Sequence, residues 1–263
     1  MTPLSGCASA ATTPGSSATE PPPRPPQGRG TLCAIHQPNL FPRLSTLAKL
    51  YAADCWVVLD DVQFARRDFQ HRARLAELGD PSRQQWLTLA AHLPSGRRSR
   101  IDEARIVNPV LSRRRMRLLL RQYYGRSPYW STLDAVITPV LELLVVSNRT
   151  SVIAEASTRM LLDSLSWHGS LVRSSAYTAR VGRSERLADL ARAVGADTYL
   201  CGTGGARYLR SDPFDDYGVD VTLHRTPTCG EAWARAREIS SLWALATFGP
   251  QHLARLLQGR PAV

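Results

Sequence analysis

At 263 residues the chain suits one large domain with a sizeable core, and 43% hydrophobic and 21% charged content is that of a globular protein. A formal charge of +11 would suit nucleic acid, but Lys49 is the only lysine among 33 basic residues, and arginine at that ratio beside abundant Ala and Leu is what GC-rich coding gives. A solvated basic surface is therefore expected, suited to small-molecule or carrier-bound anionic substrates, with nucleic acid not expected as a partner.

Residues 1–30 form a low-complexity tail holding seven of the 18 prolines among Ser, Thr and Ala. Such a segment cannot bury enough apolar surface to offset its ordering entropy. Its Leu4-Ser5-Gly6-Cys7 box lacks the basic start and apolar run of a lipoprotein signal and is taken as chance. A single domain is expected over 31–260.

Leu32 to Ile35 predicts a first strand, Leu44 to Ala53 a helix with Leu44, Leu47, Leu50 and Tyr51 at helical spacing, and Trp56 to Leu59 a second, buried strand. This order in so few residues is a βαβ unit with a parallel pair. Gln85 to Leu89 predicts another strand, Ser95 to Arg100 a basic loop, and Ile106 either a return strand or the lead into a helix. A helical insert is expected over 110–170: a basic amphipathic helix at 112–124, an apolar one at 129–147 interrupted by Pro139, and a continuation at 150–164. Then α/β character returns, with a short strand at Val172, a helix at 184–194, a strand at 198–201, a turn at Gly202 to Gly205, a last strand at 219–223, and a closing helix or helix pair at 239–257. The fold class is α/β, a mainly parallel sheet flanked by helices with an inserted helical segment. The five cysteines are odd in number and scattered without CxxC spacing, which indicates neither a disulfide framework nor a zinc site and fits a reducing cytoplasm. No run of 18 apolar residues is present, so no membrane span is expected.

Ligands of open α/β sheets bind beyond the carboxyl ends of the strands. His36 ends the first strand, where it can act as general acid/base or donor, or merely bond the loop backbone. Asp60 and Asp61 should point to opposite sides if the second strand persists, so that one faces the site as a base, an ammonium partner or a ligand for Mg²⁺. Gln63 can only hydrogen-bond. Lys49 should play one of two roles, pairing with Asp60 or Asp61 or meeting an anionic ligand, or else be an ordinary surface lysine. Arg66 and Arg72 can take carboxylate or phosphate, or form structural ion pairs. Gly202, Gly204 and Gly205 permit positive φ, and their amides can cradle an anion.

The run His36-Gln37-Pro38-Asn39, the Lys49-to-Asp54 helix end and Leu59-Asp60-Asp61-Val62-Gln63-Phe64 resemble the WbqC-like protein family. Phe69-Gln70-His71-Arg72 resembles its Phe-x-Asn-Arg element, with His71 where Asn is usual. Trp86-Leu87-Thr88, Ser184-Glu185-Arg186-Leu187 and the Gly195–Leu209 stretch (Gly-Ala-x-x-Tyr-Leu-x-Gly-x-x-Gly-x-x-Tyr-Leu) extend the likeness over roughly 32–258. Cys201 stands where the family often has serine. The family occurs in bacterial O-antigen and specialised-metabolite gene clusters, so the resemblance implies a biosynthetic role. It adds Gln37, Asn39, Phe69 and Tyr208 to the candidate substrate-binding residues, beside a catalytic group of His36, Asp60, Asp61 and Lys49. The polar loop and following helix also look like the start of nucleotidylyltransferase folds, although Arg43-Leu44-Ser45 replaces their His-x-x-His element. The expected activity is amide or acyl transfer to a small amine-bearing substrate without a dedicated cofactor. A nucleotide-dependent ligase and a non-catalytic binding protein are the alternatives.

Overall fold

A computed structural model describes residues 30–259. The tail expected over 1–30 lies outside them, Gly30 apart. The chain opens with strand β1 (Leu32–His36), helix α1 (Leu44–Tyr51) and strand β2 (Cys55–Val58). Hairpin strands β3 (Arg72–Ala76) and β4 (Gln84–Thr88) and the two-residue strands β5 (Ala91–His92) and β6 (Arg105–Ile106) follow. Helices α2 (Pro109–Tyr124), α3 (Trp130–Val146) and α4 (Thr150–Ser164) come next. The chain then returns through β7 (Ser170–Arg173), α5 (Arg183–Ala193) and β8 (Thr198–Gly202). Short helices α6 (Thr203–Ala206) and α7 (Asp212–Asp215), strand β9 (Asp220–His224) and helix α8 (Ser241–Gln258) complete it.

Five strands form one parallel sheet in the order β7-β2-β1-β8-β9. Counted along the chain this is 3-2-1-4-5, the doubly wound order, in which the strand sequence reverses direction between β1 and β8. Alternation along the central strands sends side chains to two cores. Ala34, Trp56 and Val58 join the core formed with α1, α3, α4 and α8; Cys33, Ile35, Cys55 and Val57 join the one under α5 and α7. Burial on both faces is why these strands carry almost no polar residue until they end.

Strand β3 is not evident from sequence, because arginine masks its Arg-Ala-Arg-Leu-Ala alternation. The apolar helix at 129–147 is not interrupted: Pro139 sits inside a continuous α3. The closing element is a pair of helices, since Gly249 (φ 76°, ψ 165°) breaks α8 ahead of Pro250.

Candidate functional site

The reversal point between β1 and β8 is where a crevice opens in such a sheet, and it gathers polar groups from four elements. His36 ends β1. Its Nδ1 lies 2.8 Å from the Gln37 carbonyl, which can only accept, so Nδ1 carries the proton and Nε2 is left as an acceptor. Its pKa is pushed down to about 3, by loss of water around the ring and next by the charge of Lys49, so the imidazole is neutral.

The loop after His36 is held tightly. Leu40 N donates to Phe69 O (2.8 Å), Phe41 N to Ser157 Oγ (2.8 Å), and Thr158 Oγ1 to Asn39 O (2.9 Å). Phe41 has φ 40°, an uncommon conformation for a bulky residue that persists only where its surroundings enforce it. Helix α4 is thus the floor of the loop. Gln37 Oε1 accepts from Gln70 Nε2 (2.7 Å), while Asn39 Oδ1, Gln70 Oε1 and His71 Nδ1 are buried with no hydrogen-bond partner among the described residues. Buried polar atoms without a partner are few in native proteins.

Lys49 reaches the same place from α1. It is 6% exposed, and its Nζ donates to the Ile35 carbonyl (3.1 Å). Its stem lies beside Gly202, where a Cβ would sit 3.6 Å from Cδ. Among the described residues no carboxylate pairs with it. Burial lowers its pKa to about 8, against an opposing pull from the Cys201 and Cys33 thiols. Its charge is felt in turn at His36 and at His224, which ends β9 and pairs in register with Gly202. Burial, then Lys49, pushes His224 down to about 4, and its Nε2 is buried without a partner. Burial pushes the Cys201 thiol up despite Lys49 beside it, which disfavours a thiolate nucleophile.

The other expected site residues lie differently. Strand β2 ends at Val58, so the alternation assumed for Asp60 and Asp61 does not apply: both carboxylates turn to Ser174 at the end of β7. Asp60 also accepts from Ser175 N (3.1 Å) and Ser175 Oγ (2.9 Å), and Asp61 pairs with Arg186. Burial pushes Asp61 up, but the hydrogen bonds from Ser174 and Arg186 outweigh it and hold the carboxyl below its usual range. Neither pairs with Lys49, which corrects the first of the two roles expected for it. Gln63 is exposed, and its Nε2 donates to Arg97 O (2.6 Å).

Arg72 is committed to the carbonyls of Asp68 (3.1 Å) and Arg67 and lies 4.2 Å over the Trp86 ring; Phe69 sits between Arg43 and Trp86. Arg66 is exposed. Gly202 ends β8, Gly204 and Gly205 lie in the short helix α6 where a turn was expected, and none of the three has positive φ. The reason for Gly205 is proximity, because a Cβ there would lie 3.2 Å from Cys201 Sγ. Tyr208 is exposed under the Arg183 guanidinium. Among the described residues no group of three His, Cys, Asp or Glu side chains gathers to hold a metal ion.

The WbqC-like family model matches residues 37–231, most of the chain and all of the elements that hold this loop and crevice except β1 and α8. The chain belongs to the WbqC-like protein family. It is also 24% identical over 192 residues to Uncharacterized protein Rv1507c of Mycobacterium tuberculosis (strain ATCC 25618 / H37Rv), covering 72% of this chain and 80% of that one. No solved structure matches it significantly. Within this WbqC-like chain, the residues that sequence reasoning missed are His224 and Gln70. Gln70 was within reach, being inside the Phe-Gln-His-Arg element. His224 was not, since only the strand order sets β9 beside β8.

Proposed function

We propose that this WbqC-like protein is a biosynthetic enzyme that joins an acyl group to an amine, with the reacting centre at the β1/β8 reversal point. The observation that carries the reading is Lys49: a buried ammonium without a carboxylate partner among the described residues, its Nζ on the Ile35 carbonyl at the reversal point and its charge felt by two neutral histidines. A buried charge left unpaired is costly, and a site that keeps one is suited to an anionic ligand. The phosphate of an activated acyl donor, or a carboxylate, fits.

Binding such an anion would offset the charge of Lys49, the second cause of the low pKa at both His36 and His224, and so raise their basicity as the site fills. His36 Nε2 would then take the proton from the amine as its nitrogen attacks the acyl carbonyl carbon. The C–N bond forms, the carbonyl-to-leaving-group bond breaks, and the leaving group departs with its electron pair. Gln37 and Gln70 would orient the amine, and Asp60 and Asp61 would position the loop after β2 by bracing it on β7.

The test is mass-spectrometric detection of amide product from acyl thioester or acyl phosphate donors offered with a panel of amines. Wild type should form product, and His36→Gln should lower kcat by at least 100-fold. No product with any donor, together with calorimetric binding of ATP or a nucleotide sugar, would favour nucleotide-dependent ligation instead. The doubly wound strand order lends that second reading its only support here.

A further inference from the structure

Six of the ten large hydrophobic side chains exposed among the described residues belong to two adjacent elements: Val107, Val110, Leu111 and Leu118 on or beside α2, and Val145 and Val146 at the end of α3. The two helices pack side by side, and Ile106 N donates to Asn148 O (2.7 Å), which fixes the start of α2 against the end of α3. Helix α2 buries Ser112, Met116, Leu120 and Tyr124. Its opposite face carries Leu111 and Leu118, one heptad apart, flanked by Arg114 and Arg121 on one side and Arg115 on the other. The helix has no acidic residue, and none of its arginines forms an ion pair among the described residues.

An apolar ridge between unpaired guanidinia specifies its occupant. A second copy of the chain would bring the same arginines against these, at a net charge of +11 each, and would be repelled. A helix that lies on a bilayer buries a wide face of Trp, Phe and Leu, whereas the outer face of α2 offers only Leu111 and Leu118 between arginines, its other apolar face being buried in the fold. An acidic helix with a few apolar side chains satisfies both the ridge and the charge. The segment that leads into α2 also reaches the loop beside His36, where Leu59 N donates to His36 O (3.0 Å). Residues 97–107 run from Gln63, whose side chain holds Arg97 O, past Asp102 N donating to Asp60 O (2.9 Å), directly into α2.

We propose that the outer face of α2 docks the acidic helical face of a small carrier protein that presents the acyl donor. This rests on the reading of the site as acyl-transferring, and it names the form in which the donor arrives. The experiment uses the full chain and the complete set of acidic carrier proteins encoded in the same genome, each prepared without its prosthetic arm so that no chemistry enters the readout. By calorimetry at low and physiological salt, at least one carrier should bind, more weakly as salt rises. Leu118→Glu and the pair Arg114→Glu/Arg121→Glu should each weaken Kd at least tenfold while circular dichroism melting stays unchanged. Lys49→Met should bind the carrier as wild type does, so loss of transfer chemistry and loss of docking are read separately. Absence of binding by every carrier, or binding that ignores the α2 variants, overturns the proposal. So does α2-dependent binding to anionic phosphatidylglycerol vesicles with the carriers ignored.

Discussion

At the scale of single residues, Lys49 sets function against stability. Its pKa shift from 10.5 to about 8 means that the fold disfavours the ammonium by about 3 kcal/mol relative to water. Lys49→Met keeps the stem that packs beside Gly202 and removes the charge, so stability at pH 7 should rise by about 1–3 kcal/mol in urea unfolding while anion binding is lost. Lys49→Arg should do the reverse, since a guanidinium cannot shed its proton and is larger. Its midpoint should fall, and a midpoint equal to wild type would show that position 49 is not confined. Of this residue, the sequence offered its singularity among arginines; its burial and its distance from the acidic pair depend on how α1 crosses the sheet.

The histidines give a pH dependence whose sign follows from linkage. His36, His71 and His224 hold folded pKa values of about 3, 4 and 4 against 6.5 in the unfolded chain. Below pH 6.5 the unfolded chain takes up protons that the folded one refuses, so stability is complete above 6.5 and falls as pH drops toward 4. The melting temperature should decline steadily over that window, before most carboxylates titrate. His36→Gln should flatten the slope; an unchanged slope would place the ring in water.

At the scale of elements, the kink in α8 depends on one residue. Gly249 has φ 76°, and a Cβ there would lie 2.4 Å from the Tyr129 ring, while Ser127 Oγ donates to Ala246 O one turn away. Gly249→Ala combines left-handed strain with a clash and should cost about 2–4 kcal/mol in denaturant unfolding. A loss under about 0.5 kcal/mol would mean that the two halves of α8 can straighten. Most elements were legible because their periodicity was undisturbed, as in Leu44, Leu47 and Leu50 on α1. The failures have local causes: arginines hide the strand alternation of β3, and the glycines at 202–205 suggest a turn although Gly204 and Gly205 lie in a short helix packed on Cys201.

At the scale of the whole molecule, the sequence supplies the βαβ start and the sheet class but not the strand order, because pairing is settled by packing between segments far apart in the chain. That order carries β8 to β1 and sets β9 beside it, bringing His224 and Gly202 to Lys49, while the acidic pair is held on Ser174 beyond the end of β7. Asp60 and Asp61 both take hydrogen bonds from Ser174, and Asp61 pairs with Arg186, contacts that the sequence alone could not show. Because Lys49 is the only lysine, ¹³C-lysine labelling yields a single side-chain resonance, and its titration reads the centre of this account directly. The free protein should give a pKa near 8 that rises by a unit or more when inorganic phosphate or an acyl phosphate saturates the site. A pKa near 10.5, unmoved by either anion, would contradict the assignment of the β1/β8 crevice as an anion-binding reaction centre.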